Sequence, residues 1–195
     1  MSYDKIIKKK ILSKGSLISM KKTLSITYTA LCTAIIAVCS LISIPLPSGV
    51  PITMQTFAVS LGGFILGKKK GAVAVLIYII LGSFGIPVFS GFRGGLSVLT
   101  GITGGFLSGF IITSFLCGLS TQTDKKVLKA LLIVSGVICL HLIGCIQFSL
   151  LTSSSLLYAF ITVSAPFIAK DIISVIIAQL IYKKLKFYLK TDNFK

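Results

Sequence analysis

"LGGFILGKKKGAVAVLIYII", residues 61–80, places Lys68, Lys69 and Lys70 between two apolar runs. Lysines collect at the cytoplasmic surface of a membrane, so one span should end before the triplet and the next begin after it. The chain around this stretch is as apolar as that reading needs. Hydrophobic residues make up 54% of it, mean hydropathy is +1.00, charged residues are 12% and tryptophan is absent. Such a composition excludes an ordinary soluble domain and implies an integral membrane protein.

The bases are as patterned as the apolar runs. Twenty Lys and Arg face four acids, none of them Glu, and all but Arg93 and Lys170 fall in four groups: Lys5–Lys22, Lys68–Lys70, Lys125–Lys129 and Lys183–Lys195. Between the groups six helical spans are predicted, at 26–44, 52–66, 71–86, 96–118, 127–148 and 166–184. Six crossings put every basic group on the cytoplasmic side, with both termini there and loops 45–51, 87–95 and 149–165 outside. At about 1.5 Å per residue the sixth span covers roughly 28 Å, close to a bilayer core. The expected fold is therefore an all-α, multi-pass, six-helix bundle. Residues 1–23 form a basic cytoplasmic segment, 24–186 the membrane domain and 187–195 a basic tail. The first segment reads either as an amphipathic stretch on the anionic inner leaflet or as disordered chain. A cleaved signal peptide at 24–44 is not expected, since no A-x-A-like site follows and its loss would leave an odd number of crossings.

A net charge of +16 suggests nucleic acid, but the bases sit where membrane anchoring needs them, so no nucleic acid is expected. Cys32, Cys39, Cys117, Cys139 and Cys145 lie within apolar spans without metal-ligand spacing and read as packing residues. No cofactor, metal or catalytic constellation is expected. His141 lies mid-span and Asp171 near the outer face, no nucleophile elbow is present, and no Walker A sequence supports ATP hydrolysis. His141 reads as a core histidine or, less simply, as a proton relay or a ligand.

Polar residues that resist this bland reading gather toward the outer side. "SAPFIAKDIISVII", residues 164–177, carries Lys170 and Asp171 in a run otherwise fit for lipid, and ionisable groups at such depth mark function by default. Pro166 suits the first turn of a helix and Ser164 a cap before it. Asp171 then lies about 7 Å below the outer helix end, within reach of its positive dipole. "PVFSGFRGG" supplies Arg93, the only arginine, whose planar fork suits a carboxylate. It reads as a ligand contact, a surface charge or an internal partner of Asp171. "VPITMQTF" sets Thr53 and Gln55 in the first turn of the second span, where Gln55 reads as a ligand contact or a satisfied helix-end amide. Gly101, Gly105 and Gly109, spaced by four, form a stripe for close helix packing. Ala30 and Ala34 in "TALCTAIIA" make a flat strip, either internal or a docking face for another helix.

At these residues the chain resembles the BioY family, the biotin-specific substrate-binding (S) components of energy-coupling factor (ECF) transporters. The likeness runs from about Ala30 to Leu119, through "PITMQTFAVSLGGFILGKKKGAVAVLIYIILGSFGIPVFSGFRGGLSVLTGITGGF", and resumes at "PFIAKDII". The resemblance implies a biotin pocket near the extracellular side, in the plasma membrane of a bacterium. As partners it implies a transmembrane coupling subunit lying against Ala30 and Ala34, and two cytoplasmic ATPases that bind ATP. The chain itself is then no enzyme. Two departures stand out: "GITGGF" has Ile102 and Phe106 where the family commonly has proline and tyrosine, and Ser174 stands where a lysine is expected. Lys170 is nearby but projects from another side of the helix.

Biotin offers a ureido group, an apolar thioether ring and a carboxylate tail. Against these, Asp171 can accept from a ureido N–H, Gln55 can donate to the ureido carbonyl, Phe57 or Phe89 can cover the rings, and Arg93 can pair with the tail. Thr53, Ser90, Tyr158 and Lys170 complete the expected set. The alternatives are an S component for another vitamin, thiamine or riboflavin, and an autonomous ion-coupled transporter, against which the lack of an internal inverted repeat counts.

Overall fold

In a computed structural model of the chain the structure describes residues 3–188, with the side chains of residues 19, 20 and 22–186. The order of elements is α1 (Tyr3–Leu41), β1 (Ser43–Ile44), β2 (Ile52–Thr53), α2 (Gln55–Ser83), α3 (Leu96–Thr100), α4 (Gly104–Ser120), α5 (Lys126–Thr152), α6 (Leu156–Val163) and α7 (Ala165–Tyr188). The backbone of α1 continues from Tyr3 without a break at residue 23. The tail from 189 onward lies outside the described residues.

The lysine triplet does sit at a reversal. Within α2 the backbone of Gly67 leaves the helix at φ 77° and ψ 175°, a conformation open to glycine and costly for residues with a Cβ. Past it the chain runs back along itself. Gly71 lies so close to Gly63 that a Cβ there would meet the Gly63 Cα at 2.7 Å, and Gln55 at the start of α2 bonds Tyr78 near its end. α2 is thus two antiparallel apolar arms tipped by Lys68–Lys70.

Three of the predicted elements need correction. The fourth span, 96–118, is two helices, because the backbone turns at 101–103 and the Leu99 carbonyl occupies the place where Gly104 would carry a Cβ. The turn frees carbonyls, and Gln147 of α5 satisfies two of them, donating to Leu99 O at 2.8 Å and Gly101 O at 2.7 Å. Gly101 therefore belongs to the turn, while Gly105 and Gly109 do let α4 close onto α5, with Ile143 O at 2.5 Å and the Leu140 Cα at 2.9 Å from where their Cβ atoms would stand. The loop 149–165 contains α6, capped by Ser155, whose Oγ accepts from Tyr158 N. Ser164 ends α6 and does not cap α7 with its side chain; its carbonyl accepts from Phe167 and Ile168 N. The loop 45–51 is held at its base by the antiparallel pair β1–β2, with Ser43 opposite Thr53.

α1, α5 and α7 each contain a segment long and apolar enough to cross a membrane, and α4 is a shorter apolar helix. Basic residues mark one end of the bundle. Gly118 at the end of α4 packs on the Gly67–Lys68 backbone, and Tyr182, next to Lys183, stacks on Phe64 with ring centroids 5.8 Å apart. The opposite end gathers the β pair, the 84–95 loop, the α3–α4 turn and the start of α7. On α1, Thr29, Thr33, Ile36 and Ser40 are buried while Ala30 and Ala34 are exposed, so the alanine strip faces away from the chain's own core.

Candidate functional site

The non-basic end of the bundle holds a cavity of about 60 Å³, walled by Phe89, Phe106, Phe110, Phe167 and Leu140 and edged by Thr53, Gln55, Ser90, Arg93, Lys170 and Asp171. Six elements or their connections converge there, α3 through Val98. α7 delivers its charged pair, β2 and the first turn of α2 deliver Thr53, Gln55 and Thr56, and the loop after α2 delivers Phe89, Ser90 and Arg93. α4 and α5 supply Phe106, Leu107, Phe110 and Leu140 of the apolar wall.

The loop is shaped for this task. Phe89 and Arg93 exchange two backbone hydrogen bonds, at 2.9 and 3.3 Å, around a three-residue tip in which Gly91 and Phe92 both have positive φ. Closing the tip so tightly brings Phe89 and Arg93 side by side. The Phe89 ring is buried edge-on against Tyr78, with centroids 5.4 Å apart, in space that Gly82 leaves free: a Cβ on Gly82 would collide with the ring. The Arg93 Nε donates to Ser90 O at 3.2 Å. Ser90 Oγ is buried and has no hydrogen-bond partner among the described residues.

Asp171 is 4% exposed, and its carboxylate is flanked on both sides. Lys170 Nζ is 2.5 Å from Oδ1, and His141 Nε2 is 3.3 Å from Oδ2. Lys170 Nζ also donates to Thr53 O at 3.0 Å, tying α7 to β2. Three expectations change here. Lys170 does not project away from Asp171, because its long stem curls back and carries the ammonium to the cavity. Arg93 is not the internal partner of Asp171; among the described residues that carboxylate's ion pairs are with Lys170 and His141. His141 is not remote from Asp171, and apart from that contact its buried nitrogens have no partner among the described residues.

Gln55 is held by a chain of hydrogen bonds. Thr53 Oγ1 donates to its Oε1 at 3.0 Å, its Nε2 donates to Tyr78 Oη at 2.7 Å, and Tyr78 Oη donates to Ser40 Oγ of α1 at 2.9 Å. An amide nitrogen carries two hydrogens, so one remains for a ligand.

Of the nine expected ligand contacts, the cavity brings together Thr53, Gln55, Phe89, Ser90, Arg93, Lys170 and Asp171. Phe57 and Tyr158 are not in its lining. Phe57 is half-buried and packs against two of the core clusters. Tyr158 is 56% exposed on α6. Thr56, Phe106, Phe110 and Phe167 were missed as lining residues. Phe106 and Phe167 stood within the very motifs that carried the family resemblance, but their side could not be assigned without the helix turns.

Fold and cavity define an integral membrane protein with a small-molecule pocket whose aromatic wall is edged by charge of both signs. Comparison with known proteins narrows this class. A family model described as the BioY family matches residues 10–191. The biotin transporter BioY of Thermotoga maritima is 42% identical over 156 residues, covering 79% of this chain and 90% of its own length. That of Rhodobacter capsulatus is 35% identical over 159 residues, covering 75% and 84%. The crystal structure at 2.1 Å of the S-component for biotin from an ECF-type ABC transporter matches with a TM-score of 0.76 at 30% identity, over 85% of this chain and 92% of that one. The chain belongs to the BioY family.

Proposed function

We propose that this chain is the biotin-binding S component of an ECF-type importer, set in a bacterial plasma membrane by six crossings with both termini cytoplasmic. The observation that carries the reading is the shared cavity: the one buried acid of the described residues and the one arginine of the chain line the same aromatic-walled space. A ureido group, an apolar bicycle and a carboxylate tail need an acceptor, a dry wall and a cation. Asp171 accepts from ureido N–H groups, Lys170 and the remaining Gln55 N–H donate to the ureido oxygen, and Arg93 takes the tail. Lys170 thus supplies the cation that Ser174 does not. Transport energy comes from partner subunits, a coupling protein and two ATPases.

At about 60 Å³ the cavity admits a few waters, whereas pockets that enclose a small organic ligand span hundreds of cubic ångströms. Binding therefore widens it.

Calorimetry on the detergent-purified protein tests the assignment. Biotin is expected to bind with one site per chain while thiamine and riboflavin give no heat; binding of another vitamin in place of biotin overturns it, as does uptake by the chain alone in liposomes driven by an ion gradient. A second expectation concerns the wall. Gly82→Val forces the Phe89 ring out of its slot and should weaken biotin binding roughly tenfold or more, the size of a 1–3 kcal/mol overpacking penalty. Unchanged affinity in this variant would show that the ring does not form the wall.

A further inference from the structure

A second, larger space lies on the other side of His141. α5 and α7 diverge, and the groove between them encloses about 1150 Å³. Ile133, Val134, Ile138, Ile172 and Ile176 line its length, with Phe160 of α6 near its far end, and His141 and Gln179 are the polar side chains along it. At the basic end the groove is flanked by Lys126 and Lys129 of α5 and by Lys183 of α7. Lys126 and Lys129, three residues apart, share one side of α5. No ion pair engages any of the three among the described residues, where both ion pairs belong to Asp171. One acid, Asp124, lies at the same mouth, so the mouth carries an excess of two positive charges.

We propose that this groove is a binding site for an anionic phospholipid of the leaflet at the basic end, its phosphate between the two lysines of α5 and Lys183 and its acyl chains laid along the isoleucines. The chemistry selects this occupant in two ways. An apolar trough opening from a lysine-flanked mouth matches an amphiphile with a negative head and a long hydrocarbon tail, and each lysine near an anionic leaflet adds to the attraction. A second copy of the chain is disfavoured, since a two-fold contact through this face sets one lysine mouth against its equal. Lys68–Lys70 are equally basic but do not line the groove, so the site is distinguished by shape and not by charge alone.

Thermal unfolding of the full chain in neutral detergent, with added phosphatidylglycerol or phosphatidylcholine, tests the site. Phosphatidylglycerol should raise the Tm by roughly 2–4 °C beyond phosphatidylcholine. That difference should vanish in Lys126→Gln/Lys129→Gln/Lys183→Gln and persist in Lys68→Gln/Lys69→Gln/Lys70→Gln. If the first variant is too unstable to purify, Lys129→Gln alone should reduce the difference, and native mass spectrometry should show less phosphatidylglycerol retained. Equal shifts from both lipids, equal losses in both triple variants, or the same shift from inorganic phosphate would each overturn the proposal. So would a dimer that forms through the groove and excludes lipid. Biotin binding plays no part in these readouts, so their failure is separate from any failure of the ligand assignment.

Discussion

Asp171→Ala is expected to weaken biotin binding at least tenfold in protein that still folds. The carboxylate is buried and faces the cavity from α7, and the ligand's ureido N–H groups find no other anionic acceptor among its lining residues. Leaving buried donors unpaired costs about 1–3 kcal/mol, and more where a charge is involved, which is roughly five- to more than a hundredfold in affinity. The substitution also strips Lys170 of its counter-ion, leaving its ammonium the Thr53 carbonyl alone. Asp171→Asn separates the two effects, because it keeps an acceptor and the shape while removing the charge. Its loss should be smaller than that of alanine if the hydrogen bond to the ligand dominates, and equal if the charge does. Calorimetry measures the affinities and thermal unfolding without biotin reports the fold. An alanine variant of wild-type affinity would remove Asp171 from the site. A purely structural role, such as a bridge to Arg93, predicts loss of the fold instead, and the pairing of Asp171 with Lys170 and His141 already speaks against that bridge.

The sequence carried the hairpin at Lys68–Lys70, because charge placement at a membrane surface is a one-dimensional signal. Asp171, Arg93 and Gln55 were readable for a similar reason: each is a polar residue in apolar surroundings, and such exceptions are costly enough to be informative. What stayed hidden depends on contacts between distant segments. The break at 101–103 is stabilised by Gln147, whose amide replaces helical hydrogen bonds from 46 and 48 residues away. The meeting of His141 with Asp171 depends on how far α5 and α7 are offset along the bundle, which depth estimates made separately for each helix do not fix. Helical register alone points Lys170 away from Asp171, but four methylenes let its charge swing back toward the neighbouring residue. Phe57 and Phe89 were interchangeable as ring covers on paper. Gly82 decides between them by leaving space for one ring, while Phe57 packs into the core.

Leucine at both Ala30 and Ala34 is expected to leave biotin binding within about twofold of wild type and to abolish ATP-driven uptake in the assembled transporter. The two alanines are exposed on the outer side of α1, flanked by the exposed Leu31, Ile35 and Val38, so added bulk meets none of the chain's own core. The inward side of the same helix is engaged differently. Thr33 Oγ1 lies 3.0 Å from Ala74 O, and Ser40 Oγ accepts from Tyr78, the residue that steadies Gln55 at the cavity. Substitutions on the outward side leave that chain of bonds intact, which is why binding should survive. Docking of another helix is different, because small residues allow close backbone approach, and in lipid that packing replaces the hydrophobic drive available in water. Forcing large side chains into such a contact costs about 1–3 kcal/mol at each site, enough in pairs to weaken assembly by tens- to tens-of-thousands-fold. Affinity purification of the coupling subunit with the variant, alongside biotin calorimetry on the isolated chain, measures the two quantities independently. Lost biotin binding with normal assembly would place the alanines in the ligand site's support and not at a partner interface.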